Sequence, residues 1–139
     1  MTGLTFRNLR GANALRLPQF KNALGNPAHI KADGSDWTPA QWLQAVVGEL
    51  GEYANVRKKF ERGDIDREAF MQAAADELAD TVTYIDLLAM QLGISLNKAI
   101  RSKFNRTSLR AKSLVFLSEN GFGSAIDEAD LRGYICDSL

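Results

Sequence analysis

The chain has 139 residues, of which 45% are hydrophobic and 24% charged, and its formal net charge is zero. This length suits a single domain, and the composition is that of an ordinary globular protein. The neutral balance excludes a global attraction to nucleic acid or to an anionic membrane, and Cys136, the single cysteine, excludes an intramolecular disulfide and a cysteine-rich zinc site.

No apolar run is long enough to cross a membrane, and residues 1–10 lack the apolar core of a signal peptide. We therefore expect a soluble cytoplasmic protein (in the host cytoplasm if a phage encodes it) with no membrane or nucleic-acid partner. We further expect one all-α domain over residues 1–139, with a core at about 37–112 and accessory segments at 1–36 and 113–139.

The first 36 residues are the least regular part of the chain. Apolar positions between Phe6 and Ala23 predict one or two helices, which Gly11 and Pro18 interrupt. Turn-forming residues follow at 25–27 and 32–35. We interpret His29, the only histidine, as a surface or turn residue, because no second nitrogen or sulfur ligand is near it in the sequence.

Two long helices are predicted after this segment. Thr38 and Pro39 are typical of a helix start, and this helix should run to about Arg62, before Gly63. Its expected core stripe is Leu43, Val46, Val47, Leu50 and Ala54, and the neighbouring stripe is Trp42, Ala45, Glu49, Glu52, Val56 and Lys59.

The second long helix should run from about Arg67 to Leu92, before Gly93. Its expected core stripe is Phe70, Ala74, Leu78, Val82, Ile85 and Ala89, and the adjoining stripe contains Glu77, Asp80 and Tyr84. Because the link over residues 63–66 is short, the two helices should form an antiparallel hairpin.

Each of these helices has a pair of acidic residues three positions apart, Glu49 with Glu52 and Glu77 with Asp80. Such residues share a helix face, with Cβ atoms roughly 5–6 Å apart. Each pair is roughly 15–20 Å from the turn by helical rise, so the pairs should meet at one height. Their repulsion would be relieved by Mg²⁺, for which Mn²⁺ can substitute. The alternative is that both pairs are ordinary exposed acids.

A third helix should begin after Ser95 and end near Ala111, with a polar face of one sign. Its cations indicate a solvated face, a phosphate-binding face or, as a third interpretation, contact with nucleic acid through residues 98–112. The tail should contain a short helix from Ser124 to Tyr134, with Ser124 as its cap, that packs on the bundle or on another subunit.

Motifs along the central part of the chain resemble one known family. They are Trp42, Gly48-Glu49-Leu50-Gly51-Glu52, Lys58-Lys59, Gly63, Glu77-Leu78-Ala79-Asp80, Tyr84, Leu92-Gly93-Ile94, Leu96, Lys103, Asn105 and Arg106. This region, about Trp37 to Arg106, is similar to the MazG-like all-α nucleoside triphosphate pyrophosphohydrolases, and the flanking segments loosely resemble short phage and bacterial members. Gly48 departs from some dUTP-hydrolysing relatives, which have an acid at that position.

The resemblance implies an antiparallel bundle of four to five helices that assembles as a homodimer or homotetramer. It implies hydrolysis of a nucleoside triphosphate to the monophosphate and pyrophosphate, with a purine deoxynucleotide such as dGTP or dATP as a first expectation. Glu49, Glu52, Glu77 and Asp80 would be the catalytic, metal-binding residues, with the general base left open between Glu49 and Glu52.

The same resemblance assigns roles in binding the substrate. Lys59, Lys103 and Arg106 would bind the phosphates that leave as pyrophosphate, with Lys58 as the alternative to Lys59. The expected contacts to base or sugar are Asn13, Arg16, Trp37, Tyr84 and Asn105. The competing hypothesis is a non-catalytic module of the same fold that binds nucleotide or another protein. Di-iron and zinc sites are excluded because no histidine follows His29.

Overall fold

The protein is mostly helical, as the sequence predicts. In the computed structural model, which describes residues 3–135, 62% of the chain is helix and β-structure is limited to one two-stranded sheet and isolated bridges. The all-α class is therefore confirmed. None of the helices within residues 3–135 is long and apolar enough to cross a membrane. Cys136 and the last residues of the predicted tail lie outside the described residues.

The elements follow one another in a simple order. They are α1 (Phe6–Arg16), a 3₁₀ turn (Leu17–Gln19), α2 (Pro39–Glu61), α3 (Arg67–Gln91), α4 (Leu96–Arg110), β1 (Val115–Leu117), β2 (Phe122–Ser124) and α5 (Glu128–Arg132). They divide into two compact units, one of residues 3–4 and 8–92 and the other of residues 5–7 and 93–135. The division at residue 93 lies inside the segment that was predicted as the core.

Helices α2 and α3 form the predicted hairpin of the first unit. The side chain of Gln41 accepts a hydrogen bond of 2.9 Å from the backbone N–H of Thr38, which satisfies a free donor at the start of α2. Gly63 adopts φ +79° in the turn, a conformation that residues with a Cβ rarely adopt. Asp66 caps α3 by accepting from the N–H of Ala69 at 2.8 Å.

The predicted core stripe of each helix is buried only in part. On α2, Val46 of that stripe is buried, but Leu43, Val47 and Leu50 are 46–58% exposed, and Trp42 of the neighbouring stripe is buried. On α3, Ala74 and Ala89 of the predicted stripe are buried, but Leu78, Val82 and Ile85 are 38–50% exposed. Leu87, three positions after Tyr84 on the same face of the helix, is buried as well. The predicted core stripes were the most apolar faces of the two helices. In the hairpin, the faces that carry the acids lie towards each other, because Glu49 interacts with Glu77 and Asp80.

Helix α1 is attached to α3 by a buried polar network. Asp86 is 0% exposed and accepts hydrogen bonds from Arg10 Nε at 3.0 Å and from Asn13 Nδ2 at 3.0 Å. A buried carboxylate is tolerated only when it is paired and hydrogen-bonded. The network therefore determines where the first turns of the chain lie against the hairpin.

The second unit is organised around Asn105 of α4. Its Nδ2 donates to the carbonyls of Leu117 and Tyr134 at 2.9 and 2.7 Å, and its Oδ1 accepts from the N–H of Leu117 at 2.8 Å. The β1–β2 hairpin was not predicted, and the last helix begins later than predicted, because Ser124 belongs to β2. Asp127 caps α5 in place of Ser124.

Candidate functional site

The four acids of the hairpin share one electrostatic environment. Burial and the nearby charges of Asp80, Glu77 and Glu52, together with a hydrogen bond to Glu77, raise the pKa of Glu49. Glu49 and Glu77 are half-buried, whereas Glu52 and Asp80 are exposed. Two carboxyl groups share a hydrogen bond only when one of them keeps its proton. The two acidic pairs therefore lie close enough together for Glu77 and Asp80 to raise the pKa of Glu49.

The four acids do not form a complete set of protein ligands for a metal ion. Within residues 3–135, no three acids, histidines or cysteines are placed so that they could hold a metal ion. The donor chemistry still fits Mg²⁺, which usually takes one or two protein carboxylates and completes its shell with water and substrate phosphates. Burial raises the pKa of Glu49 most, and repulsion by the neighbouring acids raises it further. A cation would relieve that repulsion.

A cavity of about 400 Å³ opens beside these acids, and Glu49 and Asp80 form part of its wall. The rest of the wall is mostly apolar and aromatic, with Phe20, Trp37, Trp42 and Tyr84 among the lining residues. This volume lies within the usual range of small-molecule sites, which combine apolar walls with a few polar groups. The cavity can therefore hold a planar, partly apolar ligand next to a negatively charged cluster.

The aromatic side chains pack around Trp42, which is only 3% exposed. Trp37 meets it edge to face, with ring centroids 4.9 Å apart, and the ring of Tyr84 lies 6.3 Å away. Burial, then the charges of Glu49 and Asp80, raises the pKa of Tyr84. Tyr84 therefore keeps its proton near neutral pH and remains a hydrogen-bond donor.

Arg16 is the cation in the wall of this cavity. Its guanidinium lies 5.6 Å from the ring centroid of Phe20, a cation–π distance. Its Nη2 donates to Asn13 Oδ1 at 3.4 Å, which connects Arg16 through Asn13 to the buried Asp86. The position of Arg16 thus depends on the network that holds α1.

No family model, no curated protein and no solved structure matches the chain. Its function is therefore inferred from the geometry of the site and from the spacing of the acidic pairs.

The structure brings together several of the residues that the sequence predicts for the site. Trp37, Tyr84 and Arg16 line the cavity together with Glu49 and Asp80. Lys59 is exposed near the end of α2. Lys103 and Arg106 belong to the second unit, where they line a depression of about 530 Å³ whose other lining residues include Arg110 and Arg132. Phosphate binding by these lysines and Arg106 stays a prediction.

Two predicted ligand contacts are replaced by structural roles. Asn13 is 2% exposed and Asn105 is 0% exposed. Asn13 bonds Asp86 and Arg16, so it positions other side chains. Asn105 uses both of its amide hydrogens on backbone carbonyls, which leaves no donor for a sugar or a phosphate.

The sequence interpretation missed several residues of the cavity wall. His29, Phe20, Leu17 and Thr83 all line the cavity, but they come from different segments and form no motif. His29 lies in a turn, as interpreted, but its side chain is only 14% exposed and lines the cavity, which the sequence did not indicate. No local pattern could have revealed this, because only the folded loop brings His29 to Trp42, with ring centroids 6.0 Å apart.

Proposed function

We propose that the protein is a Mg²⁺-dependent pyrophosphohydrolase that converts a nucleoside or deoxynucleoside triphosphate and water to the monophosphate and pyrophosphate. One observation carries this proposal: of four acids that interact electrostatically, two, Glu49 and Asp80, line an aromatic cavity. A nucleotide needs both features, because its base is planar and its phosphates require a cation.

In this proposal Glu49, Glu52, Glu77 and Asp80 hold Mg²⁺, and Mn²⁺ can take its place. The cation, when bound, neutralises phosphate charge and makes water easier to deprotonate. Glu49 is the preferred general base over Glu52, since Glu49 lines the cavity that would hold the substrate, whereas Glu52 is not among the lining residues. The proton of the attacking water would pass to a Glu49 carboxylate oxygen as the water oxygen bonds to the α-phosphorus, and the bond from the α-phosphorus to the α,β-bridging oxygen would break to release pyrophosphate.

The nucleoside is assigned to the aromatic cavity. Trp37 is half-buried and supplies a stacking surface, and Tyr84 supplies a hydrogen-bond donor. Arg16 offers a charge to sugar or phosphate oxygens. Lys59, Lys103 and Arg106 are the candidates for contacts to the pyrophosphate. We keep purine deoxynucleotides such as dGTP and dATP as the first substrates to test.

Homodimer formation, or a tetramer built from dimers, is part of the proposal. Leu43, Val47 and Leu50 on α2 and Leu78, Val82 and Ile85 on α3 are all more than a third exposed. Apolar side chains that recur at helical spacing on two neighbouring helices are unusual for the surface of a monomer. We expect light scattering to give at least a dimer, and Val47→Lys to shift the protein towards monomer.

The decisive experiment is a panel of nucleoside and deoxynucleoside triphosphates with Mg²⁺ or Mn²⁺. Chromatography should show the monophosphate and pyrophosphate, and not the diphosphate and phosphate. Glu77→Gln and Asp80→Asn should reduce turnover by at least about 100-fold, in line with loss of charge stabilisation in other active sites. Asp76→Asn is the matched control, because Asp76 is an exposed acid on the same helix outside the cavity wall. Unchanged turnover in the first two variants contradicts the proposed metal site.

The second candidate is a non-catalytic module that binds nucleotides. The observation that favours it is the lack, within residues 3–135, of three acids already placed for a metal ion. This candidate predicts saturable nucleotide binding without pyrophosphate release in prolonged incubation. Release of pyrophosphate from samples in which nucleotide binds therefore distinguishes the enzyme from the binding module.

A further inference from the structure

The loop before α2 presents a histidine to the cavity in a defined orientation. His29 Nδ1 lies 2.7 Å from Asp36 Oδ1, and the backbone N–H of Trp37 donates to the carbonyl of His29 at 2.9 Å. Ile30 and Asp36 form an antiparallel bridge that closes the same loop. These contacts hold the imidazole and the carboxylate against each other beside the wall formed by Trp37.

This pairing determines which nitrogen of His29 is available to a ligand. A carboxylate only accepts hydrogen bonds, so Nδ1 carries the hydrogen that is donated to Asp36. The other nitrogen, Nε2, is then an acceptor in the neutral ring. Among the described residues, the hydrogen bond of the His29 side chain is the one at Nδ1, and the side chain is 14% exposed and lines the cavity. His29 can therefore accept a hydrogen bond from a ligand N–H.

A second polar group of the same wall has no partner. Trp42 Nε1 is buried, and among residues 3–135 it is the only buried side-chain nitrogen or oxygen that lacks a hydrogen bond. Buried donors in folded proteins are nearly always bonded, so an unpaired one requires an explanation. Trp42 lines the cavity and lies next to His29. A ligand acceptor that reached this nitrogen would satisfy the indole N–H.

We propose that His29, held by Asp36, is a specificity-determining residue that recognises the polar edge of a nucleobase, with Trp42 Nε1 as the second contact. This inference rests on the proposed function, because it assigns a base to the cavity. The two groups together match a base edge on which an N–H donor lies next to an acceptor. Each base has such an edge, so the base whose donor and acceptor have the spacing of His29 Nε2 and Trp42 Nε1 is preferred. The surrounding aromatic rings hold the plane of that base.

The test uses nucleoside monophosphates, so that it does not depend on hydrolysis. Trp37 and Trp42 are the only tryptophans in the chain and both line the cavity, so quenching of their fluorescence reports binding. Titrations of the wild-type protein with dGMP, dAMP, dCMP and dTMP give the base preference. We expect one base to bind more tightly than the others.

Two variants of His29 distinguish the contribution of Nδ1 to binding from that of Nε2. In His29→Asn the amide replaces Nδ1 but nothing replaces Nε2, so the preferred base should bind about tenfold more weakly, while binding of the other bases changes little. His29→Gln places an amide near Nε2 and should keep part of the preference. Trp42→Phe keeps the ring and removes the N–H, so it should also reduce the preference, with Trp37 as the remaining probe.

Asp36→Asn tests the positioning role of the carboxylate, and Asp33→Asn is the matched control. Asp33 is an exposed acid of the same loop that is absent from the cavity wall and bonds Ser35. We expect Asp36→Asn to reduce the preference between bases and Asp33→Asn to leave it unchanged. Far-UV circular dichroism of each variant checks that the helices are intact.

Two results overturn the inference about His29. One is a His29→Asn protein whose base preference equals that of the wild type, including the case in which all four bases bind more weakly by the same factor. The other is a wild-type protein that binds no base preferentially. A wild-type preference without turnover of any triphosphate contradicts only the proposed enzymatic function, because the preference and its loss in His29→Asn would still support recognition of the base.

Discussion

Replacement of Asp86 by asparagine should destabilise the protein strongly, although the change in volume is small. Asp86 is 0% exposed, and it holds Arg10 through an ion pair of 3.0 Å and Asn13 through a hydrogen bond of 3.0 Å. An asparagine at this place presents one oxygen to two donors, turns its own NH₂ towards one of them, and removes the negative charge that Asp86 presents to Arg10.

The loss of stability expected in Asp86→Asn depends on how exposed its partner Arg10 is. Removal of one member of a buried ion pair destabilises by about 3–5 kcal/mol. The side chain of Arg10 is 28% exposed, so water compensates part of its charge. We therefore expect a loss of about 3 kcal/mol in the free energy of unfolding, at the lower end of that range.

Urea denaturation followed by far-UV circular dichroism measures this loss. Asp76→Asn is the control, because Asp76 is an exposed residue of the same helix that bonds only Gln72 at 3.1 Å, and its effect should stay below about 0.5 kcal/mol. The double variant Arg10→Met with Asp86→Leu removes both charges and should recover most of the stability. A loss below about 1 kcal/mol in Asp86→Asn would refute the view that this ion pair holds α1 in place.

Three further predictions concern other parts of the fold. Because the folded protein raises the pKa of Glu49, Glu49 contributes stability below its unfolded pKa that is lost as pH rises through its folded pKa. In EDTA, Glu49→Gln should therefore melt at a higher temperature than the wild type at neutral pH, and this difference should shrink as the pH falls. Asn105→Ala should lower the free energy of unfolding by about 2–3 kcal/mol. It should also speed hydrogen exchange at the Leu117 amide, because it removes the oxygen that accepts the hydrogen bond of this N–H. Gly63→Ala should lower the free energy of unfolding, measured by urea denaturation, by about 1 kcal/mol, since φ is +79° at this position. In each of these three assays, a variant that behaves like the wild type contradicts the physical reason given for it.

Local signals were sufficient for the helices of the hairpin. Thr38, Pro39 and Gly63 mark the ends of α2, and Asp66 caps α3. These residues act on their own turns, through backbone donors and permitted φ angles, so neighbouring sequence specifies them. The β1–β2 hairpin lacked such a signal, because Asn105 supports it from 12 residues away at Leu117.

The sequence by itself determined that Glu49 and Glu52 would lie at the height of Glu77 and Asp80, because helical rise and a short turn leave little freedom. Only the tertiary structure decided which stripes face each other. An apolar stripe can be buried inside the hairpin or left on its surface, and periodicity is the same in both cases. The cavity beside the acids likewise could not be predicted from the sequence. Its wall contains His29, Trp42 and Tyr84, which come from three segments that only folding brings together.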